Sequence, residues 1–545
     1  MRQDPGGWTT RYGDADIRRY RAAGVWRDVT LWTMALAMEQ RSANRIAVVD
    51  GDQHTSFGAL MSESRALAGA LQTFGLVAGD VISFQLPNWR ETLVINLAAA
   101  RLGLVCNPIV PIYRDAEVRH ILRDAGSKLM FVPSAFRSMD YLAMMERLRS
   151  DLPDLKQVLV VRGQHAGFLS YDEVIAGAMP WTGDDSLTDP NNAKLVMYTS
   201  GTTGAAKGVL HSHNTIMAEI DAVRGFWGIT DRDVVLMPSP VTHITGYLYA
   251  LEIAFAAGVK VVFMEKWNAA EALDLIKQHG VTFSVGATPF LMELAAQCHA
   301  RGSDLSPMRL FMSGGAPVPP EVIHRANELL PDGMAFRVYG STEAPTITLG
   351  IQSRADLARG ATTDGRVVNH EVRLCDAASG ALVTQGEGEI CTRGPEMMLG
   401  YTDWRQTVEA FDPAGFFHTG DLGYFVEGDY LCVSGRKKDL IIRGGENISP
   451  KEIEDVLHTH PGIAEAAVVA MPHERLGEGV CAYLVLRQTD PLSVAEVSAF
   501  LERAGLARQK FPERVEIVAD LPRTASGKVQ KNVLREGQRV ALQGK

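Results

Sequence analysis

Two separate stretches of this sequence, residues 198–209 and 522–528, carry residue types that suit the chemistry of a polyphosphate. The first reads YTSGTTGAAKGV and combines hydroxyl side chains, glycines and one lysine. Such a loop can offer hydrogen-bond donors, close backbone approach and a cation to an anion. The second reads PRTASGK and brings a further cation, Lys528. We predict that the first stretch binds phosphates through Thr199, Ser200, Gly201, Thr202, Thr203, Gly204 and Lys207.

The first stretch differs from the phosphate loop of GTPases and ordinary P-loop ATPases. That loop ends in Gly-Lys-Ser/Thr, where the hydroxyl orders Mg²⁺. Here Lys207 follows Ala206 and precedes Gly208, so this class of nucleotide-binding protein is disfavoured. Composition alone would also fit a Gly/Ser/Thr turn that connects two elements and binds nothing.

Further motifs lie between these two stretches. They are PSPVTHITG at 238–246, SGGAPV at 313–318, VYGSTE at 338–343, HTGDLG at 418–423 and GRKKDLIIRGGENI at 435–448. The whole ordered series resembles the adenylate-forming superfamily of acyl-CoA synthetases, beetle luciferases and peptide-synthetase adenylation domains. The resemblance runs from about residue 30 to about residue 535, and within the superfamily the chain looks similar to bacterial ligases for medium-chain acids or cyclohexanecarboxylate.

The resemblance implies an ATP-dependent acyl-CoA ligase that uses ATP, Mg²⁺ and coenzyme A. Such an enzyme joins a carboxylate to the α-phosphate of ATP with release of pyrophosphate, and then transfers the acyl group to CoA. The first step needs charge neutralisation at the α-phosphate and Mg²⁺ on the leaving pyrophosphate. The resemblance places Thr342 on the α-phosphate, and Glu343 with Thr202 on Mg²⁺. Lys528 would bridge the carboxylate and the phosphate. In isolation, the sequence STE at 341–343 would also suit the amino end of a helix.

The nucleoside part of ATP is assigned to other motifs. An ionised carboxylate can accept two hydrogen bonds from a cis-diol, so Asp421 is the candidate for the ribose, with Arg436 as a second polar contact. The resemblance places the adenine against small residues that allow close approach to the backbone, with Tyr339 as a stacking ring. The other predicted nucleotide-binding residues are Gly315, Ala316, Pro317 and Gly340. TGD and SGGAP are also common turns in proteins without a nucleotide.

The composition changes near Gly435, where a basic cluster precedes a short apolar strand and a small α+β unit. We predict an N-terminal domain at 1–435 with the ATP and acyl sites, a hinge at 436–438 and a mobile domain at 439–545 with the catalytic lysine. The resemblance makes Lys438 the hinge residue. Rotation there would withdraw Lys528 and bring Gly444 and Gly445 to the site, where they would line a tunnel for CoA. Three adjacent cations are also typical of a solvated surface turn.

The acid is expected to bind beside His243, which the resemblance places near the reacting carboxylate; a buried structural histidine is the alternative. The predicted substrate pocket consists of Tyr247, Gly286, Ala287, Ser313 and Gly314. These residues are apolar or small, which favours an uncharged, hydrophobic tail. No aspartate follows His243 closely, so an α-ammonium group has no partner there and an amino acid is disfavoured. Fatty, alicyclic, aryl and steroid-derived acids all remain open.

The fold class follows from alternation of apolar runs with helical periodicity. The runs VISFQL at 81–86, KLMFV at 128–132 and DVVLM at 233–237 are separated by stretches with helical spacing. This pattern predicts α/β architecture with parallel sheets covered by helices, and ligands at the carboxyl ends of the strands. We therefore expect a large N-terminal domain of α/β subdomains and a small α+β C-terminal domain.

Bulk properties argue against several kinds of partner. The net charge of −10 gives no basic field for nucleic acid. The six cysteines lack metal-site spacing, which is typical of reduced thiols. The amino terminus has no apolar signal region, and the most apolar stretch, 241–264, carries charged residues. We expect no integral membrane segment and a cytoplasmic location.

Three other functions share these motifs: a stand-alone adenylation enzyme that loads a carrier protein, a luciferase-like oxygenase and a non-catalytic acyl-adenylate binding protein. Few residues follow Lys528, which disfavours an attached carrier module. A homodimer remains open. Family resemblance also suggests a lysine acetyltransferase as a partner, since acetylation of Lys528 would remove its charge.

Overall fold

The computed structural model describes residues 1–183, 188–199, 206–376, 379–444, 446–473, 475–487, 491–524 and 528–543. Two mainly parallel sheets dominate the first 340 residues. The eight-stranded sheet has the spatial order Gly400–Tyr401, Lys207–Ser212, Ala193–Thr199, Val105–Pro108, Val81–Phe84, Leu129–Pro133, Gln157–Val161 and Leu169–Ser170. The seven-stranded sheet has the order Met334–Arg337, Leu310–Ser313, Phe283–Gly286, Val234–Met237, Lys260–Phe263, Ile46–Asp50 and Gln53–Ser56. The predicted α/β architecture with parallel sheets is confirmed.

The described residues form two further sheets, besides a short hairpin of Arg2–Gln3 and Thr9–Thr10. The six-stranded sheet is entirely antiparallel, with the order Gly365–Arg366, Tyr430–Arg436, Phe417–Val426, Gly388–Arg393, Glu371–Cys375 and Leu382–Val383. The five-stranded sheet contains Glu446–Ile448, Ile441–Arg443, Gly477–Leu486 and Ile463–His473, with Arg514–Ile517 beside 477–486. The six-stranded sheet was not expected from the sequence, because its strands are too mixed in polarity to show a clear period.

Helices cover the sheets and connect parallel strands. Before residue 240 they are Asp14–Ala22, Leu31–Ser42, Phe57–Thr73, Glu91–Leu102, Asp115–Asp124, Tyr141–Leu148, Tyr171–Gly177 and His213–Trp227. The central ones are Ile244–Gly246, a π-helix at Tyr247–Glu252, Ile253–Ala256, Ala269–His279, Thr288–Arg301 and Pro320–Glu328. The later ones are Leu357–Thr362, Trp404–Ala410, Pro450–Leu457, Val494–Arg503 and Lys531–Gln543. Short 3-10 turns lie at Arg149–Asp151, Arg354–Asp356, Lys437–Asp439 and Arg508–Lys510.

The helix His213–Trp227 illustrates how local sequence sets these boundaries. Ser212 caps its amino end by accepting a hydrogen bond from the backbone N–H of Thr215. Gly228, at φ 62°, ends it in the left-handed conformation that glycine adopts without strain. The helix is buried over most of its length, so even its one glutamate, Glu219, is fully enclosed.

The largest core lies between the two parallel sheets. Its fully buried aromatic side chains include Phe57, Phe84, Phe131, Phe255, Phe283 and Phe336. Strands such as Leu129–Pro133 are buried at every position, which is expected for parallel strands covered on both faces. A separate core in the five-stranded sheet, around Ile453, Val468 and Leu484, supports a C-terminal unit of its own.

The apolar stretch 241–264 is a series of short helices followed by the strand Lys260–Phe263, buried within the first core. Across the described ranges, no helix combines the length and the apolar character needed to cross a bilayer. The domain boundaries at 435 and 439 stay a prediction, although the change from the six-stranded to the five-stranded sheet occurs at this point.

Candidate active site

The phosphate stretch connects two antiparallel neighbours in the eight-stranded sheet. Thr199 is the last residue of one strand, Lys207 is the first residue of the next, and these two residues pair directly. The phosphate stretch therefore lies between two paired antiparallel strands, whereas the phosphate loop of P-loop NTPases joins a strand to a helix. Five of the predicted phosphate ligands, Ser200, Gly201, Thr202, Thr203 and Gly204, lie outside the described residues.

Lys207 and Glu343 both contact Tyr401. The ammonium of Lys207 is 5.1 Å from the centre of the Tyr401 ring. The Tyr401 hydroxyl donates a hydrogen bond to Oε1 of Glu343 at 2.9 Å. Tyr401 is held in place because its strand pairs with Lys207–Ser212. The fold therefore brings the cation of the phosphate stretch close to the acid of VYGSTE, 136 positions later in the sequence.

Thr342 is fixed by a histidine that the sequence analysis did not select. Nε2 of His211 lies 2.7 Å from the carbonyl oxygen of Thr342. Burial lowers the pKa of His211 to about 4, so the ring is neutral and its Nε2–H donates to that carbonyl. Nδ1 of His211 contacts the hydroxyl of Thr215 at 3.1 Å. The only signal in the sequence was a histidine directly after the apolar residues Val209 and Leu210.

Asp421, Arg436 and Tyr339 form one polar cluster. Nε of Arg436 donates to Oδ1 of Asp421 at 2.9 Å, and the hydroxyl of Tyr339 donates to Oδ2 at 2.8 Å. Asp421 is 6% exposed, while the side chain of Arg436 is 46% exposed. The nearby carboxylate raises the pKa of Arg436, and burial raises that of Tyr339. The three residues predicted to contact the nucleoside are therefore brought together.

Lys528 reaches the same region from the C-terminal unit. The backbone N–H of Thr524 donates to the carbonyl of Lys528 at 2.8 Å, and the N–H of Lys528 donates to the hydroxyl of Thr524 at 3.2 Å. Burial lowers its pKa to about 8, and the positive charge of Arg436 acts in the same direction. Asp421 and Glu343 oppose that shift. The fold thus places the lysine of the last motif among the acids of two earlier motifs.

One cavity collects several of the predicted site residues. It is lined by Lys528, His243, Thr342, Tyr339, Gly340, Gly286, Ala287, Gly314 and Gly315, with Tyr249, Thr346, Ser239, Pro240, Ile244, Thr245, Val285, Phe290, Val338, Ser341 and Pro345. Burial, assisted by the charge of Lys528, lowers the pKa of His243 to about 3. His243 is therefore neutral, and it can accept or donate one hydrogen bond at the cavity wall without bringing a charge.

Two glycines of this wall are required by close packing. A Cβ on Gly314 would lie 2.5 Å from the carbonyl oxygen of Val338. A Cβ on Gly340 would overlap the carbonyl oxygen of Pro345. Both positions bring backbone to the surface of the cavity, which suits contact with a flat ring or a phosphate. Ala316 and Pro317 follow Gly315 in the sequence and are not among the lining residues.

Two predicted pocket residues lie elsewhere. Tyr247 is completely buried, and its hydroxyl donates to Oδ1 of Asn96 at 2.7 Å. The tyrosine that lines the cavity is Tyr249. Side chains two positions apart on a helix point to nearly opposite sides, so Tyr249 faces the cavity while Tyr247 faces the core. Ser313 is buried at the end of its strand and is not a lining residue.

The predicted hinge and CoA residues lie outside the cavity lining in this conformation. Lys438 is in the 3-10 turn Lys437–Asp439, and its carbonyl accepts a hydrogen bond from Arg535 at 3.1 Å. Burial and the charge of Arg436 lower its pKa. Gly444 has φ 61° and donates its N–H to the carbonyl of Leu476. Gly445 lies outside the described residues.

Comparison with known proteins identifies the family. Residues 36–402 match the AMP-binding enzyme family, and residues 452–528 match the AMP-binding enzyme C-terminal domain. The chain belongs to the AMP-binding enzyme family. The predictions of an adenylate-forming fold and of an AMP-forming enzyme of the acid–thiol ligase class are confirmed at this level. As AMP-binding enzymes use ATP, the predicted nucleotide is confirmed as well.

Three relatives illustrate the range within the family. The medium-chain fatty-acid–CoA ligase of Escherichia coli is 37% identical, with 97% of this chain and 94% of that protein covered. The vibriobactin-specific 2,3-dihydroxybenzoate-AMP ligase of Vibrio cholerae is 30% identical, with 96% and 97% covered. The solved structure of ATP-bound MatB from Rhodopseudomonas palustris is 28% identical with a TM-score of 0.82, and the match covers 94% of this chain and 99% of that one.

Proposed function

We propose that this AMP-binding enzyme is a ligase that joins a medium-chain, hydrophobic carboxylic acid to coenzyme A. The observation that carries this proposal is the convergence of Lys528, Thr342 and His243 on one cavity, whose lining also includes the apolar residues Ile244, Val285, Phe290 and Val338. The relative that is 37% identical is named a medium-chain fatty-acid–CoA ligase, which supports the same class of acid.

The side chains of the site fit ATP. The Asp421 carboxylate suits the ribose hydroxyls, and Arg436 and Tyr339 hold that carboxylate in one orientation. Gly314 and Gly340 leave backbone exposed where a larger residue could not fit. Lys207 and Lys528 supply positive charge for the phosphates.

Lys528 is the proposed catalytic cation of the first half-reaction. A carboxylate and the α-phosphate repel each other, so their approach requires positive charge between them. Below about pH 8 the ammonium of Lys528 is protonated and can contact both groups. Neutral His243 beside it can hydrogen-bond to the acid, while Thr342, fixed by His211, can donate to the phosphate.

Glu343 is the proposed protein ligand for Mg²⁺. Tyr401 orients the carboxylate through Oε1, and a single carboxylate together with phosphate oxygens is a usual way for proteins to hold this ion. When bound, Mg²⁺ would neutralise charge on the leaving pyrophosphate. Thr202, the second predicted ligand, lies outside the described residues.

The second half-reaction requires access for a thiol to the place where Lys528 now lies. We propose that the C-terminal unit rotates at 436–438, with Lys438 as the hinge residue, and that Gly444 and Gly445 then line the path of CoA. Lys528 would leave the cavity in this motion, because it belongs to the unit that rotates.

Pyrophosphate release tests the proposal. Purified protein would be incubated with ATP, Mg²⁺ and single acids, with and without CoA; the panel comprises hexanoate, octanoate, cyclohexanecarboxylate, benzoate, 2,3-dihydroxybenzoate and palmitate. Turnover that is greatest with a medium-chain acid and requires CoA is the expected result. Turnover without a CoA requirement would indicate carrier loading, and a preference for 2,3-dihydroxybenzoate would indicate an aryl-AMP ligase of the kind named among the relatives.

A further inference from the structure

A buried carboxyl group lies behind the acyl cavity. Glu219, in the helix His213–Trp227, is completely buried. Its Oε1 lies 2.8 Å from the hydroxyl of Tyr249 and also accepts a hydrogen bond from the hydroxyl of Thr346. These two hydroxyls are 2.8 Å apart. Tyr249 and Thr346 both line the cavity that contains Lys528, and at 3% and 4% exposure they lie deep in its wall.

A second buried carboxyl group, that of Glu396, lies beside Glu219. Glu396 is also completely buried, and its side chain interacts with that of Glu219. The amide of Asn369 donates to Oε1 of Glu396 at 3.1 Å, and Nε2 of His370 lies 3.0 Å from Oε2. Nδ1 of His370 contacts the hydroxyl of Thr392 at 3.0 Å. Glu396 is thus an acceptor of hydrogen bonds on both oxygens.

The surroundings favour one shared proton between the two acids. Burial raises the pKa of Glu219 to about 8, with the charge of Glu396 as the second cause, and burial raises the pKa of Glu396 to about 7. Burial lowers the pKa of His370 to about 4, so this ring is neutral and cannot balance a second negative charge. Two adjacent buried carboxylates would repel each other strongly. Both oxygens of Glu396 accept hydrogen bonds, whereas in Glu219 only Oε1 does and Oε2 has no donor among the described residues, so the proton belongs on Oε2 of Glu219.

We propose that Glu219, as a carboxylic acid backed by Glu396, is a positioning residue that fixes Tyr249 and Thr346 as the end wall of the acyl cavity and so limits the length of acid the enzyme accepts. This inference rests on the proposed acyl-CoA ligase function. Rotation of Tyr249 would break buried hydrogen bonds that water cannot replace, which keeps the wall rigid. Tyr249 also stands in the π-helix, an element frequently found at functional sites.

The test compares Glu219→Ala with Glu219→Gln over saturated acids of six to twelve carbons. Alanine removes the acceptor and opens space behind the wall, so the ratio of kcat/KM for dodecanoate to that for octanoate should rise about tenfold or more. Glutamine keeps an acceptor oxygen for the two hydroxyls and a donor for Glu396, so its chain-length profile should stay within about twofold of the parent. Glu91→Gln is the matched control, because Glu91 is a buried acid paired with Arg162 away from the cavity.

A uniform loss of kcat/KM for all acids in Glu219→Ala would overturn the inference, since a merely structural role predicts that result. A glutamine variant that shifts the profile as alanine does would also overturn it. If Glu219→Ala does not fold, Thr346→Ala opens the same wall with the carboxyl in place and should favour longer acids.

Calorimetric binding of the same acids separates this inference from the proposed function. If the parent binds acids only up to a certain length and the Glu219→Ala variant binds longer ones, the inference about Glu219 is supported even if the acyl group is not transferred to CoA. If the limit stays the same, or no acid of the series binds, the inference fails whatever reaction the enzyme performs.

Discussion

Asp421 and Arg436 pair directly across two antiparallel strands, and the guanidinium Nε of Arg436 donates to Oδ1 of Asp421 at 2.9 Å. Arg436 is also the last residue before the 3-10 turn that contains Lys438. A rotation that begins after Arg436 would therefore leave this pair intact. The nucleoside site could then persist while Lys528 leaves, which a two-step reaction on one bound intermediate requires.

Loss of the Asp421 charge should weaken ATP binding. We expect Asp421→Asn to raise KM for ATP by about tenfold or more, because charge-assisted hydrogen bonds to the ribose become neutral ones. KM for the acid should change much less. Initial rates of pyrophosphate release would measure both constants. Asp429→Asn is the control, since this exposed residue lies at the end of the same hairpin; equal changes in the two variants would contradict the assignment.

Removal of Lys528 should separate the two half-reactions. We expect Lys528→Ala to slow adenylation by about a hundredfold or more, because charge between carboxylate and phosphate is lost. Thioester formation from supplied acyl-adenylate and CoA should be largely retained. Lys510→Ala, which removes a lysine paired with Glu452, is the control. Equal loss of both half-reactions would rule out the proposed role.

The pH dependence of adenylation should report the same lysine. The pKa of Lys528 is lowered to about 8, so the ammonium is present below this pH and is lost as pH rises through it. In the free enzyme, kcat/KM should therefore fall above about pH 8. Lys528→Arg should move this fall to higher pH, since a guanidinium stays protonated. If the fall in kcat/KM occurs at the same pH in the arginine variant, a group other than Lys528 causes it.

A rigid hinge should affect only the second step. Lys438→Pro fixes φ at one value, which is compatible with the present 3-10 turn and not with a different backbone conformation. We expect adenylation to stay near the parental rate and thioester formation to fall by about tenfold or more. Stopped-flow measurements of each half-reaction would decide this, with Lys438→Ala, which removes the same side chain and leaves φ free, as the control.

The buried acid pair should make stability depend on pH. The pKa of Glu219 in the folded protein, about 8, lies above its ordinary value of 4.5, so the folded state holds a proton that the unfolded state releases. The stabilising effect of that proton is complete below about pH 4.5 and is lost as pH rises through about 8. Glutamine does not titrate. The gain in Tm of Glu219→Gln over the parent should therefore be larger at about pH 9 than at about pH 5.5; a constant difference would argue against the shared proton.

Sequence alone determined the family, the order of the motifs and most of the residues that meet at the site. Hydroxyls, glycines and a lysine in YTSGTTGAAKGV, and the carboxylate of HTGD, suit a nucleotide through their chemistry before any fold is known. The apolar runs predicted the parallel sheets, because strands buried on both faces are apolar at nearly every position.

Tertiary structure decided what periodicity and residue type do not record. Tyr249 lines the cavity and Tyr247 does not, since their side chains, two positions apart on one helix, point to nearly opposite sides. His211, Glu219 and Glu396 resemble ordinary polar residues in the sequence, and their roles arise from burial beside partners more than a hundred positions away. The meeting of Lys528 with Asp421 likewise depends on how the C-terminal unit rests on the rest of the chain. Burial and long-range contact set the charge and the position of these groups, and both are properties of the folded chain.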